Sequence, residues 1–600
     1  MLHRRWFSGA LVVLVYAMLG LAALWDSLPG EASRIPRCSC GDPVLSTWFL
    51  EWVPFALLHG HNPLFTSLIN VPSGVNLAQN TMMPLLGLLV SPVTLLAGPL
   101  SSYTLLLYLA FPLSAASMFF VLRYWTGSDI AASVGGLIYG FSTFSTGQGI
   151  DHPMFSFVPL PPLIALLSYE LLIRQANGPY RHGLLLGLLV IGQFFIEPEV
   201  LADLAIVLAL GLLVLVAARW RSIAASRVGH ALKGFSFAAV VTGAVVAYPV
   251  WFMEFGRQHF VGTVQPISNP YRSDLLGPVV PTMLEHFDPS WLSSLGETIT
   301  HEGIVQNDTY IGLPLLLLAA FVTLYLRHNP WINLSAALAA AAFVLSLGPK
   351  LVVDGHQTSI PLPFALLAKL PLVGNILPAR LSLLVALFVA VVVSLGCADL
   401  LRPPRVAHSV KGVEARRTSA HLKLTAFVVG VATACLLPLL PSWPYGKKPV
   451  DVPAFFTSSD LERIPSGSVV LTYPFALYPY DQAMLWQAVA GMRFRLLGGY
   501  ALQRNQQGRA ALSPSGLSPS VVAEFLERAE EGSAGDLVSS PLREKDSANV
   551  EQFLRNYDVS TVIVSPGIDN AGIVTTMFSE ALGPPLVVGG VAAWFNLSRG

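Results

Sequence analysis

The chain has 600 residues, 53% of them hydrophobic and 12% charged, with 35 basic residues balancing 35 acidic ones. Soluble domains carry about 25% charged residues, so this composition excludes an ordinary soluble protein and predicts an integral membrane one. The zero net charge names no partner and gives no basis for nucleic-acid binding.

A membrane span needs about 20 apolar residues. The first is predicted over residues 7–25, behind His3, Arg4 and Arg5, and reads as a retained signal anchor because no clean small-x-small cleavage site follows it. Further spans are predicted over 102–122, 131–148, 154–173, 183–198, 200–217, 235–252, 309–326, 332–348, 380–398 and 424–441. Two shorter, proline-interrupted apolar segments, 84–99 and 362–374, are decided by the positive-inside rule. Leaving both outside the count puts Arg123, the basic residues of 174–181 and 219–233, Arg327 and the basic segment 401–423 on the cytoplasmic face. Eleven spans result, with the N terminus cytoplasmic and the C terminus extracytoplasmic.

This topology leaves three external segments, 26–101, 253–308 and 349–379, within a transmembrane domain of residues 1–443. The first contains an aromatic stretch (Trp48, Phe49, Trp52, Phe55) of the kind that lies at lipid headgroups. Residues 444–600 hold no span. They alternate β-like runs at 468–475, 560–565 and 585–597 with helical patterns at 481–492, 519–530 and 547–557, which predicts a small α/β domain. The expected fold is therefore a multi-pass α-helical membrane protein of about eleven transmembrane helices with a C-terminal extracytoplasmic α/β domain. The expected location is a bacterial plasma membrane.

Charged groups beside hydrocarbon are expensive, and those that persist commonly serve a site. Asp42, Asp151, His152, Glu197, Glu199 and Asp308 all fall at or near the outer face of these spans. Asp42, in G-D-P, is a turn residue capping local amides, or a general base, or a group orienting an acceptor hydroxyl. Glu197 and Glu199 flank Pro198, which breaks the helix between two spans. They form a solvated corner, or bind sugar hydroxyls, or join Asp151 and His152 around a divalent cation. Arg380 opens a span from outside, where it either snorkels to headgroups or offers its planar fork to a lipid phosphate. Arg257, Arg272 and Lys350 are weaker candidates for the same task. His59 and His61 read as loop capping, Cys397 and Cys435 as packing, and Cys38 with Cys40 as a weak metal signal. Phosphate loops, nucleotide-binding glycine motifs, H-E-x-x-H and G-x-S-x-G elbows are absent from the spans, which argues against ATP-driven transport and serine hydrolysis.

One pattern of residues carries a family resemblance. It comprises C-S-C-G-D-P at 38–43, W-F-L-E-W-V-P-F-A-L-L-H-G-H-N-P-L-F at 48–65, G-G-L-I-Y-G-F-S at 135–142 and Q-F-F-I-E-P-E-V at 193–200. It continues with Y-I-G-L-P-L-L-L-L at 310–318, L-P-A-R at 377–380 and M-L-W-Q-A-V-A-G-M-R-F-R-L-L-G-G-Y at 484–500. With these, the chain resembles the GT-C superfamily of integral-membrane glycosyltransferases, and more closely GT-C-like proteins of actinobacteria and related high-GC bacteria. The resemblance implies transfer of a sugar from a polyprenyl-phosphate donor to a glycan or lipid acceptor of the cell envelope. It implies Asp42 as catalytic base or acceptor-orienting residue and Arg380 beside the donor phosphate. Glu197, Glu199, Asp151, His152 and Asp308 are then expected to contact substrate, with a possible divalent cation. Some members carry a paired acid in the first external loop; here Asp42 has only Glu51, nine residues on. A lipid-linked saccharide transporter and a non-catalytic GT-C-like scaffold for envelope assembly remain as alternatives.

Overall fold

The computed structural model describes residues 2–23, 34–36, 41–219, 225–264, 269–300, 303–370, 373–402, 411–443, 447–449, 451–477, 480–512, 520–530 and 546–597. The chain divides into two compact units. One comprises residues 1–26, 106–245 and 265–445; the other comprises 27–105, 246–264 and 446–600.

The first unit is a helical bundle. Among the described residues, seven helices are long and apolar enough to cross a membrane: Pro99–Thr126, Pro153–Arg174, Pro179–Ile196, Pro198–Ala217, Ser226–Phe255, Pro378–Leu400 and Leu422–Leu439. Shorter apolar helices of this unit lie at Ser8–Ala23, Leu313–Tyr325 and Pro330–Ser346, while Pro84–Ala97 belongs to the second unit. The protein is thus a multi-pass helical membrane protein. Burial separates its centre from its edge: 94% of the apolar window of Pro378–Leu400 is buried, against 17% for Ser226–Phe255. A helix apolar all round belongs inside a bundle, and Ser382–Leu400 packs there against Pro330–Ser346 and Asp129–Gly140.

The stretch expected as one span over 131–148 is two helices, Asp129–Gly140 and Thr143–Gln148. The chain turns at Phe141, and Ser142 caps the second helix by accepting the Ser145 N–H at 3.2 Å. The first of these helices carries a glycine face. A Cβ at Gly140 would lie 2.6 Å from Ala115 Cα, and one at Gly136 would lie 2.8 Å from Ala115 O. Small residues at this spacing let membrane helices approach closely.

In the second unit, five strands form one sheet in the order Leu586–Val588, Val591–Trp594, Val559–Val564, Val469–Tyr473, Arg495–Leu496. Val559–Val564 runs parallel to Val469–Tyr473, which runs parallel to Arg495–Leu496; the other pairs are antiparallel. Helices Val521–Glu530, Asp546–Asn556 and Ala571–Leu582 contribute Phe525, Phe553 and Phe578 to a core shared with Leu471, Val562 and Trp594. Segment 68–71 docks on the edge strand: Leu496 N–H donates to Leu68 O at 2.7 Å and Asn70 N–H to Gly498 O at 3.0 Å. Residues following the first apolar helix are thereby built into the same unit as 446–600.

Candidate functional site

The helix Pro179–Ile196 ends at Glu197, whose backbone is extended (φ −160°), and Pro198 starts the next helix, Pro198–Arg219. Proline suits the first helical position because its missing N–H has no partner there anyway. The turn places Glu199 in the first turn of the new helix, where the helix dipole favours a negative charge. One Glu199 oxygen accepts the Leu377 N–H at 2.7 Å, and the other forms an ion pair with Arg380 Nη1.

Arg380 lies in the single 3-10 turn Pro378–Leu381 that leads into the central helix. Its Nε donates to Gln306 Oε1 at 3.2 Å, and its Cζ lies 3.7 Å from the centre of the Phe155 ring. Salt bridge, amide and aromatic face hold the guanidinium in one orientation. Gln306 Nε2 lies 3.3 Å from His152 Nε2, so His152, Gln306, Arg380 and Glu199 form one connected polar row. Glu197 stands beside it: Oε1 accepts the Glu199 N–H at 3.1 Å, while Oε2 is buried without a partner.

Asp203 completes this acidic side and was not among the expected residues. It follows Glu199 by four positions on one helix face, is 3% exposed, and has one oxygen without a partner. A lone carboxylate inside a span was the available signal. Asp151 is half-buried in the turn before His152, its N–H bonded to Gln148 O at 3.2 Å.

Asp308 belongs to a different cluster. Its Oδ1 accepts the Tyr310 N–H at 3.1 Å and its Oδ2 the Thr282 hydroxyl at 3.3 Å. Thr282 also gives Glu285 Oε2 its N–H at 2.7 Å and its hydroxyl at 3.0 Å. Burial, with the Asp308 charge beside it, pushes the Glu285 carboxyl well above the usual range, and Glu285 hydrogen-bonds to Asp308. Burial raises Asp308 as well. Burying two neighbouring acids together favours a proton on the pair.

In the second unit, Asp42 opens the helix Asp42–Leu58. Gly41 precedes it at φ +70°, a conformation glycine adopts without strain, and its carbonyl accepts the Val44 and Leu45 N–H groups, each at 3.1 Å. Asp42 Oδ1 accepts the Tyr500 hydroxyl at 3.0 Å. Gly41 N–H donates to Asp481 Oδ1 at 2.7 Å. Trp48 Nε1 donates to Gln487 Oε1 at 2.6 Å, so the 484–500 motif grips the Asp42 helix at several points. Glu51 does not pair with Asp42: nine residues along an α-helix is half a turn out of phase and about 13 Å away.

The aromatic stretch expected at lipid headgroups is a correction. Trp48 and Phe49 are fully buried and Trp52 is 2% exposed, because this helix packs on Pro84–Ala97 and Gln482–Val489. The metal reading of Asp151, His152, Glu197 and Glu199 is also set aside. Among the described residues no group of three or more His, Cys, Asp or Glu side chains could hold a metal ion, and Glu199 is committed to Arg380. His59 Nδ1 lies 2.9 Å from Phe55 O in the role expected of a loop cap. Arg257 stacks over Phe65 at 4.6 Å, and Arg272 donates to Asn269 O at 3.3 Å. Lys350 is exposed at the start of strand Lys350–Val353. Cys397 and Cys435 are buried free thiols, while Cys38 and Cys40 lie outside the described residues.

No family model matches the chain, and no curated protein does. Solved structures do. The mycobacterial arabinofuranosyltransferase AftD matches at 14% identity over 94% of this chain, with a TM-score of 0.52. The chain spans 37% of the length of that protein. ArnT from Cupriavidus metallidurans matches at 11% identity over 100% of this chain and 99% of its own, with a TM-score of 0.47. The oligosaccharyltransferase AglB from Archaeoglobus fulgidus matches at 13% identity over 98% of this chain and 74% of its own, with a TM-score of 0.43. The likeness to the arabinofuranosyltransferase shows the fold alone: the chain shares the multi-pass helical architecture of that protein.

Proposed function

We propose that the protein is a membrane glycosyltransferase that moves a sugar from a polyprenyl-phosphate donor to an extracytoplasmic acceptor of the cell envelope. The observation that carries this reading is the ordered Asp42 carboxylate, held by Tyr500 at the start of a buried helix in a chain of GT-C-like fold. In the reaction, the bond from the anomeric carbon to the phosphate oxygen breaks and a bond to the acceptor oxygen forms. Asp42 takes the acceptor proton, and polyprenyl phosphate leaves with the electron pair. Arg380 stabilises the charge that develops on the phosphate. Glu197, Asp203 and His152 line the same polar row and contact sugar hydroxyls or the phosphate. In this reading the bundle crosses a bacterial plasma membrane eleven times, with residues 444–600 as an external α/β domain that meets the acceptor.

One observation favours a second reading, a non-catalytic scaffold: Arg380 already has Glu199 and Gln306 as partners. The test is transfer from polyprenyl-phosphate sugars by the purified protein in sealed vesicles. The enzyme consumes donor, and Asp42→Asn abolishes turnover while the folded variant still retains donor lipid. Wild-type transfer rates in that variant end the enzyme reading. Passage of substrate across the vesicle without consumption makes the protein a transporter, and neither activity makes it a scaffold.

A further inference from the structure

Asp481 directly precedes the helix Gln482–Val489, where aspartate ordinarily accepts the free amides of its own first turn. Here its side chain makes no such cap. The carboxylate instead takes the N–H of Gly41, a residue 440 positions away. Asp481 is completely buried, and its second oxygen has no hydrogen-bond partner. A buried oxygen left unpaired carries a desolvation cost, so giving up the local cap needs a compensating role.

The role lies in what Gly41 does. Its carbonyl anchors the first turn of the Asp42 helix and its N–H is held by Asp481, so both sides of this residue are fixed. The next residue is Asp42, whose carboxylate is held by Tyr500. Tyr500 in turn is tied back to the 482–489 helix, its N–H lying 3.1 Å from Met484 Sδ. Both ends of the segment 481–500 therefore grip two consecutive residues, 41 and 42.

We infer that Asp481 is the positioning residue for Asp42, fixing through the Gly41 amide the backbone from which the Asp42 carboxylate projects; this rests on the glycosyltransferase reading of Asp42. Burial first, and the Asp42 charge after it, push the Asp481 carboxyl well above the ordinary range, which favours its neutral form beside Asp42.

Two variants, compared with the parent, test this in the full-length protein. Asp481→Asn keeps a neutral acceptor for the Gly41 amide, and its kcat is expected to stay close to the parent's. Asp481→Ala removes the acceptor, and kcat is expected to fall about 10²-fold with KM unchanged, since donor and acceptor binding are untouched. Hydrogen exchange over residues 41–47 reads the contact without any activity: slow in the parent and in Asp481→Asn, faster in Asp481→Ala. Equal exchange in all three proteins overturns the inference, and so does a parental kcat in Asp481→Ala when Asp42→Asn is inactive. A fall in both Asp481 variants alike also overturns it, because the acceptor alone then does not suffice. Full turnover in Asp42→Asn is a different failure: it removes the glycosyltransferase reading first, and the positioning role with it.

Discussion

Arg380 and Glu199 form an ion pair in which the arginine side chain is 6% exposed and the glutamate side chain 15%. Desolvating two charges is offset only while both are present, and removing one partner of a buried pair costs about 3–5 kcal/mol. Glu199→Leu and Arg380→Met are each expected to lower stability by that order. The pair Glu199→Leu with Arg380→Met is expected to lose less than the sum of its single changes. Thermal unfolding of the four proteins in one detergent checks this, and strict additivity would show the pair to be energetically uncoupled.

On the proposed reaction, Asp42→Asn keeps the shape of the side chain and removes the base. Turnover is expected to fall about 10²–10⁴-fold, the usual contribution of a positioned proton acceptor. Tyr500→Phe removes one hydrogen bond to that carboxylate and is expected to cost about tenfold or more, as hydrogen bonds to charged groups do. Steady-state rates on a polyprenyl-phosphate sugar decide it; a Tyr500→Phe loss larger than that of Asp42→Asn contradicts the ranking.

The Glu285–Asp308 pair predicts a pH dependence of stability. Both folded values lie above the unfolded ones. The stability they contribute is therefore full below the ordinary carboxylate range and is lost as pH rises through the folded values. Asp308→Asn keeps an acceptor for the Tyr310 N–H and offers an amide donor to Glu285, so it removes the like-charge part of this loss. Unfolding midpoints from pH 5 to pH 9 are expected to diverge, the variant gaining on the parent as pH rises. A constant difference across that range would exclude the shared proton.

The glycine face gives a test with an internal control. Gly140→Ala places a methyl 2.6 Å from the Ala115 backbone, whereas a Cβ at Gly243 meets nothing within 4 Å. Overpacking costs about 1–3 kcal/mol, so Gly140→Ala is expected to destabilise by that order. Gly243→Ala is expected to be neutral or to stabilise by up to about 1 kcal/mol through helix propensity. Unfolding of both variants under the same conditions checks the contrast; equal effects would mean that the helices do not approach as closely as described.

Local chemistry made part of this legible. Glu197, Glu199 and Arg380 announced themselves as charges at the ends of apolar runs, and the structure joins Glu199 to Arg380. What a single sequence cannot state is who meets whom. Gln306 reaches Arg380 across 74 residues and Asp481 reaches Gly41 across 440, and neither residue carries a local pattern pointing to its partner. The Trp48, Phe49 and Trp52 stripe was misread because aromatic rings suit a headgroup layer and a protein interior equally well; burial decides between them. The break at Phe141 was readable in principle, since Ser142 stands three residues before Ser145 in a capping register.

The hydrogen bond from Gly41 to Asp481 also orders events in time. A ribosome adding about 5–20 residues per second delivers Asp481 on the order of tens of seconds after Gly41 has emerged. Throughout that interval the nascent chain holds Asp42 without the residues that fix it, although its first apolar helices have already been made. The orientation of Asp42 therefore arrives only when segment 481–500 closes back on residues 41 and 42, and a nascent chain arrested before that point carries the carboxylate but not its orientation.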